Sequence, residues 1–382
     1  LGAARHQFRK LVEKLKIPTL LTWPAIDLIP STHPLCLGRP GSMAPRYSNF
    51  AIQNADLVLS IGARLDLSIT GYAKEHFARA AKIIMVDIDQ AELDKHADRL
   101  DLSIQADARV FIESLLVSSV EYAWDGWPYW LEHCQRWKAR YPLARENTIR
   151  DQSKVSTYSF CTALSRCLKA GDILAPGCSG AAVEIFYLAI EVADGVRCVN
   201  SAALGAMGYG PPAALGACLA SSGQRTICVD GDGGFQLNVQ ELSTIKGREL
   251  PIKFFIINND GYASIRNSQR RYFNRLIAAD TSSGLSLPSL KKIAAAYDFR
   301  YAIIKESQNL EKQIEAVLNT DGPVLCEVTA PLEERRAPAL GTSKRPDGSL
   351  VSRPLEDLWP FLDREELRDN MLIDLIPEST DS

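Results

Sequence analysis

Residues 226–266 read TICVDGDGGFQLNVQELSTIKGRELPIKFFIINNDGYASIR, and the architecture of the chain follows from this stretch. Thr226 to Val229 is a short, mostly apolar run that suits a strand buried in a parallel sheet. Gly231-Asp232-Gly233-Gly234 then predicts a turn, because so many residues without a Cβ continue neither a strand nor a helix. Leu237, Val239, Leu242 and Ile245 recur at helical spacing, and Gly247 is the expected stop. A second apolar run, Ile252 to Ile257, ends in Asn258-Asn259. Strand, helix and strand in this order make a βαβ unit, whose handedness sets the two strands parallel.

A chemical expectation arises from that topology. Asp232 and Asn259 both fall just beyond the carboxyl end of a strand, on one edge of the sheet, where open α/β sheets bind ligands. A carboxylate, an amide oxygen and a backbone carbonyl suit a hard cation such as Mg²⁺, which completes its octahedron with water and phosphate oxygens. Gly231, Gly233 and Gly234 let backbone N–H groups approach a phosphate, and the next helix offers its positive end.

Outward from this unit, 382 residues predict about two domains. An apolar fraction of 46% and a charged fraction of 23% are ordinary for a globular protein. A net charge of −3 provides no basic field for nucleic acid, and no apolar run approaches the ~18 residues that span a bilayer. Nine cysteines without any C-x-x-C predict reduced core thiols and a cytoplasmic protein, and the five dispersed histidines predict no zinc site. Near the N-terminus Phe8, Leu11, Val12 and Leu15 share a helical face, followed by a strand-like Thr19-Leu20-Leu21. A domain that opens without its first strand reads as part of a longer protein. Strand-like runs at 55–66 and 81–89, separated by helix-compatible segments, continue a parallel α/β pattern. Trp124, Trp127, Trp130 and Trp137 mark a linker whose aromatics anchor a connecting helix. A second domain opens near Val155 with a helix, a strand at 172–175 and a small-residue turn, Gly177-Cys178-Ser179-Gly180. In SAALGAMGYGPPAALGACLA, residues 201–220, small side chains let a helix lie close to the sheet. The fold expected is thus α/β with two parallel-sheet domains.

GDG, twenty-four residues and NN, with the elements in phase, resembles the thiamine diphosphate signature of the acetolactate synthase-like family. The pattern G-x-M-G-x-G-x-P-A-A-x-G-A at 205–217 is similar as well, as are HPLCLGRPGSMAPRYSNFAIQNADLVLSIGARLDLSITG at 33–71 and VDIDQAELDK at 86–95. The resemblance implies a Rossmann-like middle domain at 1–116, a linker at 117–153, a diphosphate-binding domain at 154–331 and a tail at 332–382. It places the diphosphate against Gly177, Cys178 and Ser179. It assigns the Gly205 carbonyl to the cofactor's exocyclic amine and Met207 to the bend between the cofactor's two rings, where a polarizable thioether fits. Asp232, Asn259 and the Gly261 carbonyl would hold Mg²⁺, and the loop through Tyr262, Ala263 and Ser264 would cover the cofactor. Several relatives also hold FAD in the middle domain near Gly62-Ala63-Arg64. That turn either meets a dinucleotide or merely ends a strand, and the second reading is preferred.

The resemblance further implies decarboxylation of a 2-keto acid, followed by protonation or by addition to a second carbonyl. Relatives trigger this with a glutamate on a pyrimidine-binding domain of a partner subunit in a homo-oligomer. No residue of this sequence takes that role, so the chain alone is expected to be inactive. Two departures bear on substrate. Where acetolactate synthases carry GARFDDRVTG this chain has GARLDLSITG, so Leu67 and Ser68 replace an Asp-Arg pair and remove a bidentate carboxylate clamp. Where they carry a Trp after NN, Ser268 opens volume. A carbonyl acceptor bulkier than pyruvate, such as a keto-sugar in polysaccharide biosynthesis, is therefore expected. The alternatives are a non-ligating 2-keto acid decarboxylase and a non-catalytic subunit that keeps the fold.

Overall fold

The amphipathic N-terminal stretch folds as α1 (Arg5–Leu15), burying Leu11 and Val12. The structure, a computed structural model, describes residues 4–118, 126–143, 153–178, 180–201, 204–344 and 350–380. Trp124 of the tryptophan cluster and Ser179 of the small-residue turn lie outside them. By its contacts the chain divides into Leu1–Glu146 with Ala337–Ser382, and Asn147–Arg336.

In the first unit α1 is followed by α2 (Arg46–Gln53), β1 (Leu57–Ile61), α3 (Leu67–Thr70), β2 (Lys82–Asp87), α4 (Gln90–Asp94), β3 (Leu102–Gln105), α5 (Ala108–Ser118) and α6 (Pro128–Arg140). The three strands pair parallel in the order β1-β2-β3. Thr19 makes only an isolated parallel bridge to Cys36, rather than the strand its sequence suggested. The tryptophan segment contributes Trp137 and Cys134 to a cluster with Phe50 and Tyr141, which is the anchoring that aromatics at helical spacing provide.

The second unit runs α7 (Thr157–Cys167), β4 (Ile173–Leu174), α8 (Gly180–Ala189), β5 (Arg197–Cys198), α9 (Gly210–Ala220), β6 (Thr226–Gly231), α10 (Asp232–Phe235), α11 (Glu241–Gly247), β7 (Ile252–Asn258), α12 (Ala263–Phe273), α13 (Leu290–Ala296), β8 (Arg300–Ile304), α14 (Leu310–Leu318) and β9 (Val324–Thr329). Its six strands are parallel in the order β5-β4-β6-β7-β9-β8. Phe254, Phe255, Ile256 and Ile257 of β7 are all fully buried, as a central strand covered on both faces requires. The glycine-rich turn expected at 231–234 is not a loop. Pairing with β7 carries β6 on to Gly231, opposite Ile257, and Asp232–Phe235 already forms a helical turn. Parallel pairing with β7 outweighs the weak intrinsic preference of Gly231.

The segment set apart as a tail returns to the first unit from Ala337 onward. It forms β10 (Ala339–Leu340), β11 (Thr342–Lys344), β12 (Leu350–Ser352), β13 (Leu358–Trp359) and α15 (Arg364–Asp369), with β10 pairing β13 and β11 pairing β12. Side chains of α2 and its C-cap fasten it. Arg46 donates to the Leu358 carbonyl at 2.9 Å, Asn49 to Leu355 at 2.7 Å and Asn54 to Asn370 at 3.0 Å. Among the described residues no helix is long and apolar enough to cross a membrane.

Candidate cofactor and metal site

The second sheet reverses direction at β4: the chain goes outward to β5, then returns to β6 on the other side and proceeds to β7. In open α/β sheets the crevice at such a reversal is where ligands bind. The turn after β4 carries Gly177 and Cys178, α10 begins on Asp232 after β6, and Asn259 follows β7. The Gly177 N–H donates to the Val229 carbonyl at 2.9 Å, which holds the first of these loops beside the second. Gly205, at φ 59°, completes the neighbourhood: a Cβ there would stand 3.5 Å from the Cys178 carbonyl. Asn238 donates to the Gly208 carbonyl at 2.9 Å, so the Met207 loop is tied to the segment after α10, and Met207 is 38% exposed. Gly177, Cys178, Asp232 and Asn259 thus follow strands at one edge of this sheet, with the 205–208 segment tied beside them.

Asp232 is 4% exposed. Its Oδ1 accepts the Gly233 N–H and its Oδ2 the Gly261 N–H, each at 2.9 Å. Burial nevertheless pushes its carboxyl up to about 7, with those two N–H donors only partly opposing the desolvation. Asn259 Oδ1 is buried, and among the described residues no donor reaches it. The two asparagines of the NN pair have separate tasks. Asn258 donates to Glu327 of β9 at 2.7 Å and receives the Asp260 N–H at 3.1 Å, so its side chain braces the strand end while Asn259 keeps an uncommitted oxygen. A buried acid and an amide oxygen without a donor on adjacent strand ends are the arrangement that a cation relieves, since both gain from a positive partner. These residues therefore fit Mg²⁺. Among the described residues no cluster of three or more His, Cys, Asp or Glu is placed to hold a metal. A mixed set of one carboxylate, one amide and one carbonyl oxygen, with phosphate completing the shell, is a donor set that suits Mg²⁺.

Of these glycines, Gly231 leaves space that a diphosphate could take. A Cβ on Gly231 would meet nothing within 4 Å. Gly233 has no such freedom, because a Cβ there would drive into the Tyr262 ring. Ala263 and Ser264 open α12 beneath Tyr262, and Ser264 Oγ is a further buried atom without a partner among the described residues.

Two participants were missed from the sequence. Asp230, inside β6, is buried against Gly177, Gly210 and Gly234; a Cβ on Gly210 would lie 2.5 Å from its Oδ2. Its Oδ1 accepts the Gly231 N–H at 2.8 Å, its Oδ2 has no partner among the described residues, and burial raises its carboxyl to about 7. The one signal was a charged residue at the end of an apolar strand run. Arg266 of α12, fully buried, gave no signal, because an arginine in a polar helical stretch reads as solvent-facing.

Gly62, Ala63 and Arg64 belong to the first unit. Gly62 donates to the Val86 carbonyl at 2.8 Å and Arg64, at φ 63°, pairs with Glu92 at 3.0 Å. The helices after the three strands start on their own carboxylate caps, Asp66, Asp89 and Asp107. These contacts are those of a turn that ends a strand and opens a capped helix.

Comparison with known proteins adds the family. Residues 1–115 match the central domain of thiamine pyrophosphate enzymes, and residues 176–328 match their C-terminal TPP binding domain. The acetolactate synthase large subunit of Cyanidium caldarium is 31% identical over 357 residues, 90% of this chain and 58% of that protein. The isozyme 1 large subunit of Escherichia coli K12 is 29% identical over 88% of this chain and 58% of its own length. Acetolactate synthase 1 of Zea mays is 29% identical over 89% of this chain and 53% of its own length. The chain thus spans little more than half of these relatives. Its two matched domains and its parallel sheets agree, and the chain belongs to the thiamine pyrophosphate enzymes, with the central and TPP-binding domains of the acetolactate synthase-like family.

Proposed function

We propose that the protein is a thiamine diphosphate- and Mg²⁺-dependent enzyme that decarboxylates a 2-keto acid and joins the remaining fragment to a carbonyl acceptor. The observation that carries this is the buried Asp232 carboxylate beside the orphaned Asn259 oxygen, on the strand edge next to the open face of Gly231. When bound, thiamine diphosphate supplies the electron sink for loss of carbon dioxide. This chain's residues bind and orient. Asp232, Asn259 and the Gly261 carbonyl hold the cation. The turn at Gly177 and Cys178, with Gly231, Gly233 and Gly234, receives the diphosphate. Gly205 accepts from the exocyclic amine, Met207 packs under the bend of the cofactor, and Tyr262, Ala263 and Ser264 close over it. No acid or base for the proton transfer is assigned here. The activating carboxylate is expected on a pyrimidine-binding domain outside these 382 residues, contributed by a partner subunit.

For the acceptor, the exposed Ser268 of α12 supports a carbonyl larger than pyruvate, such as a keto-sugar. Ser68, whose N–H and hydroxyl are both taken by Asp66, offers no substitute for the carboxylate clamp that an arginine would provide there. The test is product analysis of the assembled enzyme given pyruvate alone and pyruvate with a sugar aldehyde or ketone. Crossed product is expected. Efficient acetolactate formation overturns the acceptor reading, and free aldehyde as the sole product favours a non-ligating decarboxylase. Absence of any thiamine diphosphate binding leaves a non-catalytic subunit.

A further inference from the structure

Among the described residues Arg266 is the largest fully buried side chain, in the first turns of a helix whose other arginines are at least partly exposed. A long cationic side chain ordinarily keeps its head in water, and withdrawing it completely is costly unless every donor finds an acceptor. Its partners are unusual in kind. Nη2 donates to the carbonyl of Asn259 at 3.0 Å and of Leu332 at 2.7 Å, and Nη1 donates to the carbonyl of Asp260 at 3.1 Å. The buried carboxylate of Asp280 lies 3.8 Å from Nη1 and is itself held by the hydroxyls of Ser282 and Ser283. One guanidinium therefore binds two successive carbonyls of the Asn259–Gly261 loop, the chain beyond β9, and the segment around residue 280.

That loop needs such a restraint. Asp260 and Gly261 both have left-handed backbones, at φ 62° and 114°. A Cβ on Gly261 would lie 2.7 Å from the Ala279 carbonyl and 2.6 Å from Leu285, so the same segment presses on the loop from one side. From the other, Gly261 gives its N–H to Asp232. Tyr262 donates to the Ala279 carbonyl at 2.9 Å, and Thr281 to the Asp260 carboxylate at 2.7 Å. We infer that Arg266 is a positioning residue for the cation: it fixes the carbonyls of Asn259 and Asp260 from inside the protein, so that the Asn259 amide oxygen and the Gly261 carbonyl stand ready before the metal arrives. Outer groups that orient ligands typically change metal affinity about 10- to 100-fold. This inference rests on the assignment of the cation to Asp232 and Asn259.

The test uses the full chain and calorimetric titration of thiamine diphosphate at a series of Mg²⁺ concentrations, on wild type, Asp232→Ala, Arg266→Met and Arg266→Lys. Circular dichroism fixes a temperature at which each is folded. Arg266→Met is expected to raise the Mg²⁺ concentration for half-maximal binding about tenfold or more. Arg266→Lys, which keeps the charge but not the planar fork, is expected to fall between it and wild type. A role confined to stability would lower the melting temperature and leave the Mg²⁺ requirement of the folded protein unchanged, and that result overturns the inference. If Arg266→Met does not fold, an Arg266→Lys protein with the wild-type requirement overturns it equally. Equal Mg²⁺ dependence in wild type and Asp232→Ala removes the cation assignment and this inference together, whereas loss in Asp232→Ala alone removes only the role of Arg266.

Discussion

After β1, β2 and β3 the chain leaves the first sheet through Asp66, Asp89 and Asp107, and each accepts backbone N–H groups of the helix it opens, at 2.8 to 3.2 Å. After β6 and β7 it leaves the second sheet through Asp232 and Asn259, and here, among the described residues, Asn259 Oδ1 and, just before Asp232, Asp230 Oδ2 are buried acceptors without a donor. Both are carboxyl edges of parallel sheets, and both place an aspartate at a helix start. The difference is where the polar groups go. Caps satisfied within three residues build a stable edge. An edge that buries acceptors without donors forgoes stability of about 1–3 kcal/mol for each group, and that deficit is what a ligand of opposite character recovers.

The two edges should part most widely at Asp232. Replacement by Ala is expected to weaken Mg²⁺-supported thiamine diphosphate binding by about a hundredfold or more, since a charge-assisted ligand is lost, while circular dichroism remains that of the wild type. Unchanged affinity would refute the metal assignment. The next effect is on pH. Asp230 and Asp232 titrate near 7 in the folded chain against 3.8 ordinarily, so between those values the native state holds protons that the unfolded state has released. Their contribution to stability is full below about pH 4 and is lost as pH rises through about 7, with a slope of up to about 1.4 kcal/mol per pH unit for each group. Urea midpoints of the cation-free chain measured across this range should fall with pH, and Asp230→Asn should flatten the slope; a midpoint rising from pH 5 to 7 in wild type but not in Asp230→Asn would contradict the burial argument.

Gly233→Ala probes the ligand-binding edge more finely. The added methyl meets the Tyr262 ring, and overpacking of this kind costs about 1–3 kcal/mol. Thermal melts should show that loss, with cofactor binding weakened beyond it because Tyr262 is displaced; a neutral substitution would mean the ring is not held there. The smallest effect belongs to the first unit. Asp89→Ala removes one cap and should cost about 1 kcal/mol in denaturant unfolding without altering thiamine diphosphate affinity. In the same unit, added FAD should not raise the melting temperature. A flavin-dependent rise would show that this edge is less self-sufficient than its hydrogen bonds indicate.

Much of this was legible in the sequence. The apolar runs at 226–229 and 252–257, the helical spacing between them and the residues after each strand define the βαβ unit, and with it the edge on which Asp232 and Asn259 meet. Those are local signals, set by periodicity and by the handedness of the crossover. Several other features were set by contacts distant in the chain. Gly231 remains in a strand because β7 pairs with it, and Thr19 fails to become one because it finds only a single bridge. The residues beyond 336 return to α2 through Arg46, Asn49 and Asn54, which in the sequence are unremarkable polar positions of a short helix.

The class of fold and the family are written in the order of the amino acids, and residue type and spacing suffice to place a carboxylate and an amide at adjacent strand ends. Which polar atoms are left without partners is written only in the folded chain. Asn258 and Asn259 are the same residue in succession, yet one is committed to Glu327 and the other keeps its oxygen open. Arg266 reads as a surface residue and lies wholly inside, because the acceptors that satisfy it come from residues 259, 260, 280 and 332, brought around it only by folding. Hydrogen-bond satisfaction is a property of the surroundings, and the surroundings exist only in three dimensions.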